Sequence, residues 1–123
     1  MIGYVTVGTN DLQRAAGFWD PLLGMMGAAR AMEEDNFIAW TTGEGSPMLL
    51  AIKPWDGNAA TPGNGSMTGL MAASREQVDA LHARALELGG TDEGAPGPRM
   101  GDFYGGYFRD LDGNKFVFFV IGQ

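Results

Sequence analysis

Apolar residues along this chain recur in two rhythms, alternation and helical spacing, and the two rhythms follow each other in the same order twice. Ile2 to Gly8 alternates as a strand does, and the next run places Leu12, Ala15, Ala16, Trp19 and Leu22 or Leu23 on one helical stripe. Asn10, just ahead of that stripe, is the expected N-cap, and Pro21 is expected to kink the helix or to end it before Gly24. Three short strands should follow, Ala28 to Met32, Asn36 to Thr42 and Pro47 to Lys53, the first two joined by the acidic turn Glu33-Glu34-Asp35. Pro54 to Gly65 has the proline and glycine content of a connection.

The plan then restarts. Ser66 to Ala73 is strand-like, Ser74 caps a helix over Arg75 to Leu88, and Gln77 sits where it can reach back to the cap. Val78, Leu81, Ala85 and Leu88 form the buried stripe, and Gly89-Gly90 ends the helix. A short strand is expected near Thr91 to Glu93, then a loop over Gly94 to Asp102. The run from Phe103 to Val120 reads as a hairpin, two β-rich aromatic strands around the turn Asp110-Leu111-Asp112-Gly113-Asn114. That turn sets Arg109 opposite Lys115 and Tyr107 opposite Val117. Corresponding elements of the two halves lie roughly 63 to 65 residues apart. The expectation is one α+β domain over 1–123, built from a module at 1–53, a linker at 54–65 and a second module at 66–123.

Composition removes several function classes. At 123 residues the chain has the size of one domain, and its net charge of -7 makes nucleic acid and anionic membrane poor partners. With no cysteine there are no disulfides, thiolate metal sites or cysteine nucleophiles. Met1 to Gly8 lacks the basic and long apolar stretches of a secretory leader, and no apolar run approaches a membrane span, so a cytoplasmic protein is expected. His82 is the only histidine; it flanks the apolar stripe of the second helix, where a surface or half-buried side chain is expected, and it leaves no Ser-His-Asp arrangement. Asp110-Leu111-Asp112-Gly113-Asn114 does not begin a calcium loop, because Ile121 stands where a bidentate Glu is needed.

The Arg109-Asp110-Leu111-Asp112-Gly113-Asn114 turn resembles the last hairpin of the vicinal oxygen chelate superfamily, which includes glyoxalase I, bleomycin resistance proteins and extradiol dioxygenases. Thr61-Pro62-Gly63-Asn64-Gly65 and Gly89-Gly90-Thr91 extend the resemblance over essentially the whole chain. It implies two βαβββ modules forming a half-open, mixed-sheet barrel with the helices outside. It also implies a divalent metal held by His or Glu from the first, fourth, fifth and eighth strands. Placed on that pattern, the four ligand positions fall on Tyr4, Leu50 (within about one residue), Met67 and Val117. None is an imidazole or a carboxylate. No metal or other cofactor is therefore expected, against the family's usual divalent ion.

In its place the strand alternation suggests an apolar cavity lined by Tyr4, Thr6, Leu50, Met67, Met71, Tyr107, Val117 and Phe119, with Trp40, Trp55, Phe103 and Tyr104 at its rim. Lys53, Arg99, Arg109 and Lys115 are candidates to gather at its mouth. The function expected first is binding of a small apolar or aromatic molecule without a metal, in a homodimer, as bleomycin resistance proteins sequester their drug. The alternatives are a metal-dependent lyase, isomerase or dioxygenase of the glyoxalase type, and a structural or protein-binding module with no ligand. No catalytic residue is assigned.

Overall fold

The computed structural model describes residues 1–122. Its elements run β1 (Tyr4–Gly8), α1 (Leu12–Gly24), β2 (Ala29–Glu33), β3 (Phe37–Thr41), β4 (Met48–Ile52), β5 (Thr68–Met71), α2 (Arg75–Glu87), β6 (Thr91–Pro98), β7 (Phe103–Arg109) and β8 (Lys115–Ile121). The chain divides into two compact units, Met1–Pro62 and Gly63–Gln123, parted inside the expected Pro/Gly connection. Each carries one βαβββ module and one four-stranded mixed sheet, ordered β1-β4-β3-β2 in the first and β5-β8-β7-β6 in the second. In both, the module's first strand runs parallel to its last, and the remaining pairings are antiparallel. The fold is α+β, and the repeat read from the sequence is a repeat of topology.

In the first unit α1 buries Leu12, Ala15, Ala16, Phe18, Trp19, Leu22 and Leu23. Its cap is Asp11, not Asn10: the Asp11 carboxylate accepts the Arg14 N–H at 3.0 Å. Asn10 has other work, because its amide donates to the Ala60 carbonyl at 3.1 Å and accepts the Ala60 N–H at 2.6 Å, holding the connection against the start of the helix. Pro21 stands inside α1 without ending it, and the helix continues to Gly24. One carboxylate joins three elements here. Asp20 of α1 accepts from the Trp40 indole N–H of β3 at 2.8 Å and from the Arg30 guanidinium of β2 at 2.6 and 3.0 Å. That guanidinium holds the Asp20 carboxyl below the ordinary carboxylate range, against the opposing effect of burial, and it also pairs with Glu33.

In the second unit Ser74 caps α2 by accepting the Gln77 N–H at 3.1 Å. The Gln77 side chain returns to the Ala73 N–H at 2.7 Å, one residue ahead of the cap it was expected to reach. Val78, Leu81 and Ala85 meet the sheet, where Phe108 stacks on Phe116 and Phe118 with ring centroids 5.6 and 4.9 Å apart. His82 joins them and is buried, only 4% exposed, which corrects the surface or half-buried position expected for it. The reason is a glycine: a Cβ on Gly106 would lie 3.0 Å from the imidazole, so only a bare strand position admits the ring. Its Nε2 lies 3.0 Å from the Tyr107 carbonyl oxygen, which satisfies the buried polar atom.

β6 is longer than expected. It reaches Pro98 because register shifts at Asp92/Gly94 and Gly94/Gly97 let a Gly/Pro-rich segment pair with β7. The hairpin has the expected register, with Tyr107 opposite Val117 and Arg109 opposite Lys115. Its turn is organised by Asp110, whose carboxylate accepts the Asp112 and Asn114 N–H groups at 3.0 and 2.9 Å and the Asn114 side-chain amide at 3.0 Å. Burial pushes the Asp110 carboxyl above its ordinary range while these donors pull it back.

Two stability outcomes follow from these carboxylates. Asp110→Ala should lower the unfolding free energy by about 1–3 kcal/mol in urea titration, because it strands buried turn donors. Asp20→Ala should melt below the parent near neutral pH, since it orphans the Trp40 indole N–H. The depressed Asp20 carboxyl gives stability above the unfolded-state value of about 4 and loses it as pH falls through the lower folded value. The gap between parent and Asp20→Ala should therefore narrow in melts taken at progressively more acid pH.

Candidate functional site

Strand register decides which side chains share a face with a helix and which do not. In the first sheet Thr6 pairs with Leu50, Leu50 with Ala39, and Tyr4 with Met48, so Tyr4, Thr6 and Leu50 lie on one face. Trp40 pairs instead with Arg30 and Leu49, and its bond to Asp20 fixes it on the face that α1 covers. Trp40 is thus a core residue, 2% exposed, and not part of a ligand rim. Tyr4 is 60% exposed, whereas Leu50 is buried.

In the second sheet Met71 pairs with Phe119, Gly69 with Val117, Val117 with Tyr107 and Phe119 with Gly105. These residues share the face away from α2, and Met67, just ahead of β5, is exposed. Tyr104 falls on the opposite face. Its hydroxyl donates to Asp79 of α2 at 2.6 Å, which raises the Tyr104 hydroxyl above the ordinary phenol range, and the Arg75 guanidinium lies 4.9 Å above its ring. Tyr104 therefore belongs with the helix contacts, a correction to its expected place at the rim. Trp55, also expected there, lies in the connection after β4 and is almost fully exposed.

The helix-free face of the second sheet is aromatic and shallow. Phe103 stacks on Phe119 with centroids 5.2 Å apart and planes within 5°. Two glycines make room for those rings: a Cβ on Gly105 would meet Phe103 at 2.7 Å and Val117 at 3.1 Å, and one on Gly69 would meet Phe119 at 3.1 Å. Beside them the Tyr107 ring carries two cations, the Arg99 guanidinium 5.3 Å and the Lys115 ammonium 5.7 Å from its centroid. Of the four basic residues expected at a mouth, these two converge. Arg109 is engaged by Glu93 and by the Gly113 carbonyl, and Lys53 lies in the first unit.

Lys53 lines a cleft that the sequence did not reveal, of about 370 Å³, with Asn10, Asp11, Gln13, Glu34 and Asp35. It forms where the N-terminus of α1 meets the β2–β3 turn, a juxtaposition with no signature in residue spacing.

The positions implied for a metal carry the wrong donors, two in each unit. Tyr4 offers a phenol, Met67 a thioether, and Leu50 and Val117 only hydrocarbon. A divalent ion that takes imidazole and carboxylate ligands does not fit that set. Among the described residues no group of three or more His, Cys, Asp or Glu is arranged to hold a metal. Among them, too, no helix is long and apolar enough to cross a membrane.

The family model described as Glyoxalase/Bleomycin resistance protein/Dioxygenase superfamily matches residues 1–118. A glyoxalase/bleomycin resistance protein from Albidiferax ferrireducens T118 is 36% identical, with 99% of each chain covered and a TM-score of 0.91. A hypothetical protein from S. aureus is 25% identical over 98% of this chain and 92% of its own, with a TM-score of 0.75. A glyoxalase/bleomycin resistance protein/dioxygenase family enzyme from Burkholderia phytofirmans PsJN shares the fold at 19% identity, 98% coverage of both chains and a TM-score of 0.78. A search of curated proteins gave no match.

The glycine floor gives a direct test of the face. Gly105→Ala should cost about 1–3 kcal/mol in denaturant unfolding, because the new methyl must displace Phe103 from its stack or shift β7 against Val117. A substitution without measurable cost would mean that the stack yields easily.

Proposed function

The chain belongs to the glyoxalase/bleomycin resistance protein/dioxygenase superfamily, and we propose that it binds a small apolar or aromatic molecule on its helix-free sheet faces without a metal ion. The single observation that carries this proposal is the chemistry of the four positions implied for metal ligands, Tyr4, Leu50, Met67 and Val117. In a fold that hosts many functions, activity resides in the site's side chains, and these side chains offer dispersion contacts and one hydroxyl.

Several features support an organic ligand. Tyr4, Met67 and Met71 leave apolar and phenolic surface exposed, and methionine adapts to irregular shapes. The stacked Phe103 and Phe119 rings offer planar surface to an aromatic guest, and Tyr107 supplies a hydroxyl at their edge. Among the described residues no imidazole lies with them, the one histidine being packed between α2 and the sheet, so binding is favoured over turnover. The similarity to a glyoxalase/bleomycin resistance protein at 36% identity is consistent with a sequestering role.

A thermal-shift screen of small aromatic and apolar compounds tests this. Hits should raise the melting temperature, since a ligand selective for the folded state stabilises it, and the rise should be the same with and without a chelator. Met71→Glu, at an exposed position on the same face, should weaken the shift for the same compounds. Shifts that vanish with chelator and return with a divalent ion would overturn the metal-free reading.

A further inference from the structure

The cations over Tyr107 stand close to one aromatic ring in a chain with a net charge of -7, and neither has a carboxylate partner among the described residues. Arg30, Arg84 and Arg109 each form a salt bridge. Among the described residues Arg99 and Lys115 form none. Glu93 of β6 is engaged by Arg109. Arg99 is nevertheless held in place: its Nη2 donates to the Ala95 carbonyl at 2.5 Å and its Nη1 to the Pro98 carbonyl at 3.4 Å. Glycines clear the ground for that pose, since a Cβ on Gly97 would lie 3.0 Å from the guanidinium and one on Gly94 3.3 Å from both it and the Tyr107 ring. Lys115 is fixed from the other strand by the hairpin register, directly opposite Arg109 and two residues before Val117. The Tyr107 hydroxyl has no protein partner among the described residues.

Two positive charges and a phenol thus converge on the margin of an aromatic floor, and only backbone carbonyls and a π-face answer them. We propose that the ligand is a planar aromatic carboxylate, its ring laid on the half-buried Phe103–Phe119 stack and its carboxylate received by Arg99, Lys115 and the Tyr107 hydroxyl. This rests on the function proposed above and narrows its ligand class. The charge recognition is chemically economical: guanidinium and ammonium donors shorten and strengthen hydrogen bonds to a carboxylate, and a partly desolvated aromatic surrounding strengthens them further. A cationic guest is excluded by the same groups, and a neutral one would leave them unanswered.

Isothermal titration with 2-naphthoate and with its neutral counterpart 2-naphthalenemethanol separates the two levels of the proposal. The parent protein should bind the acid about tenfold or more tightly than the alcohol. That preference should shrink as salt rises from about 0.05 to about 0.3 M, whereas the alcohol's affinity stays level. Arg99→Gln and Lys115→Met, both changes on half-buried or exposed side chains, should each lower the ratio of acid to alcohol affinity about tenfold. Equal affinities for acid and alcohol would overturn the carboxylate inference and leave the apolar site standing. An acid preference indifferent to salt and to both variants would also overturn it. If neither compound binds up to millimolar concentration, both proposals fall. The salt series on the parent keeps the test decisive even if a variant fails to fold.

Discussion

Alternation along β8 constrains everything else in the second unit. A strand at the centre of a sheet has two faces, and Lys115–Ile121 is apolar on both, so Phe116, Phe118 and Val120 commit to the helix while Val117 and Phe119 commit to the other side. Val117, the eighth-strand position that the family resemblance implies for a metal ligand, lies in the second set. A charged side chain there would sit at a residue that is 2% exposed, among Tyr107, Gly69 and the rings of Phe103 and Phe119, where an unpaired charge is costly. Valine at this position makes the face part of the packing.

The acidic residues show the same division of labour. Although the chain has fifteen of them, the best placed are committed to holding secondary structure together. Asp11 caps α1, Asp20 joins α1 to β2 and β3, Asp79 takes the Tyr104 hydroxyl, and Asp110 organises the hairpin turn. None stands in a strand that pairs across the helix-free faces. The remaining acidic residues lie in helices, turns and connections or on the edge strands β2 and β6, where Glu93 is engaged by Arg109, so the two cations at Tyr107 form no salt bridge among the described residues. A chain that is acidic overall thus sets two cations against one aromatic ring, which is where the proposed carboxylate would be received.

Much of this was legible in the sequence because it depends on short-range rules. Helical spacing located α1 and α2, and the Asp-Gly-Asn turn fixed the hairpin register. What the sequence misplaced depends on competition between neighbours or on the third dimension. Asn10 and Asp11 are both good caps, and only the distant Ala60 backbone, which engages Asn10, decides between them. Trp40 and Tyr104 are aromatic and sit in the right strands, but one residue of alternation puts each against its helix, where Asp20 and Asp79 wait. His82 is buried because Gly106, from another element, lacks a side chain. β6 pairs through Gly94 to Pro98 by way of bulges, which no periodicity announces. The convergence of Arg99 and Lys115 on Tyr107 similarly needs the β6–β7–β8 register, although the register of β7 on β8 alone already places Lys115 near it.

Absence of suitable donors at Tyr4, Leu50, Met67 and Val117 is the claim from which the function proposed for this chain descends. Equilibrium dialysis of the purified protein against zinc, nickel, manganese and ferrous ions, followed by elemental analysis, addresses it most directly. Substoichiometric retention of every ion, unchanged when Tyr4 is replaced by Phe, is the expected result. One tightly held ion per chain, lost on that replacement, would contradict it.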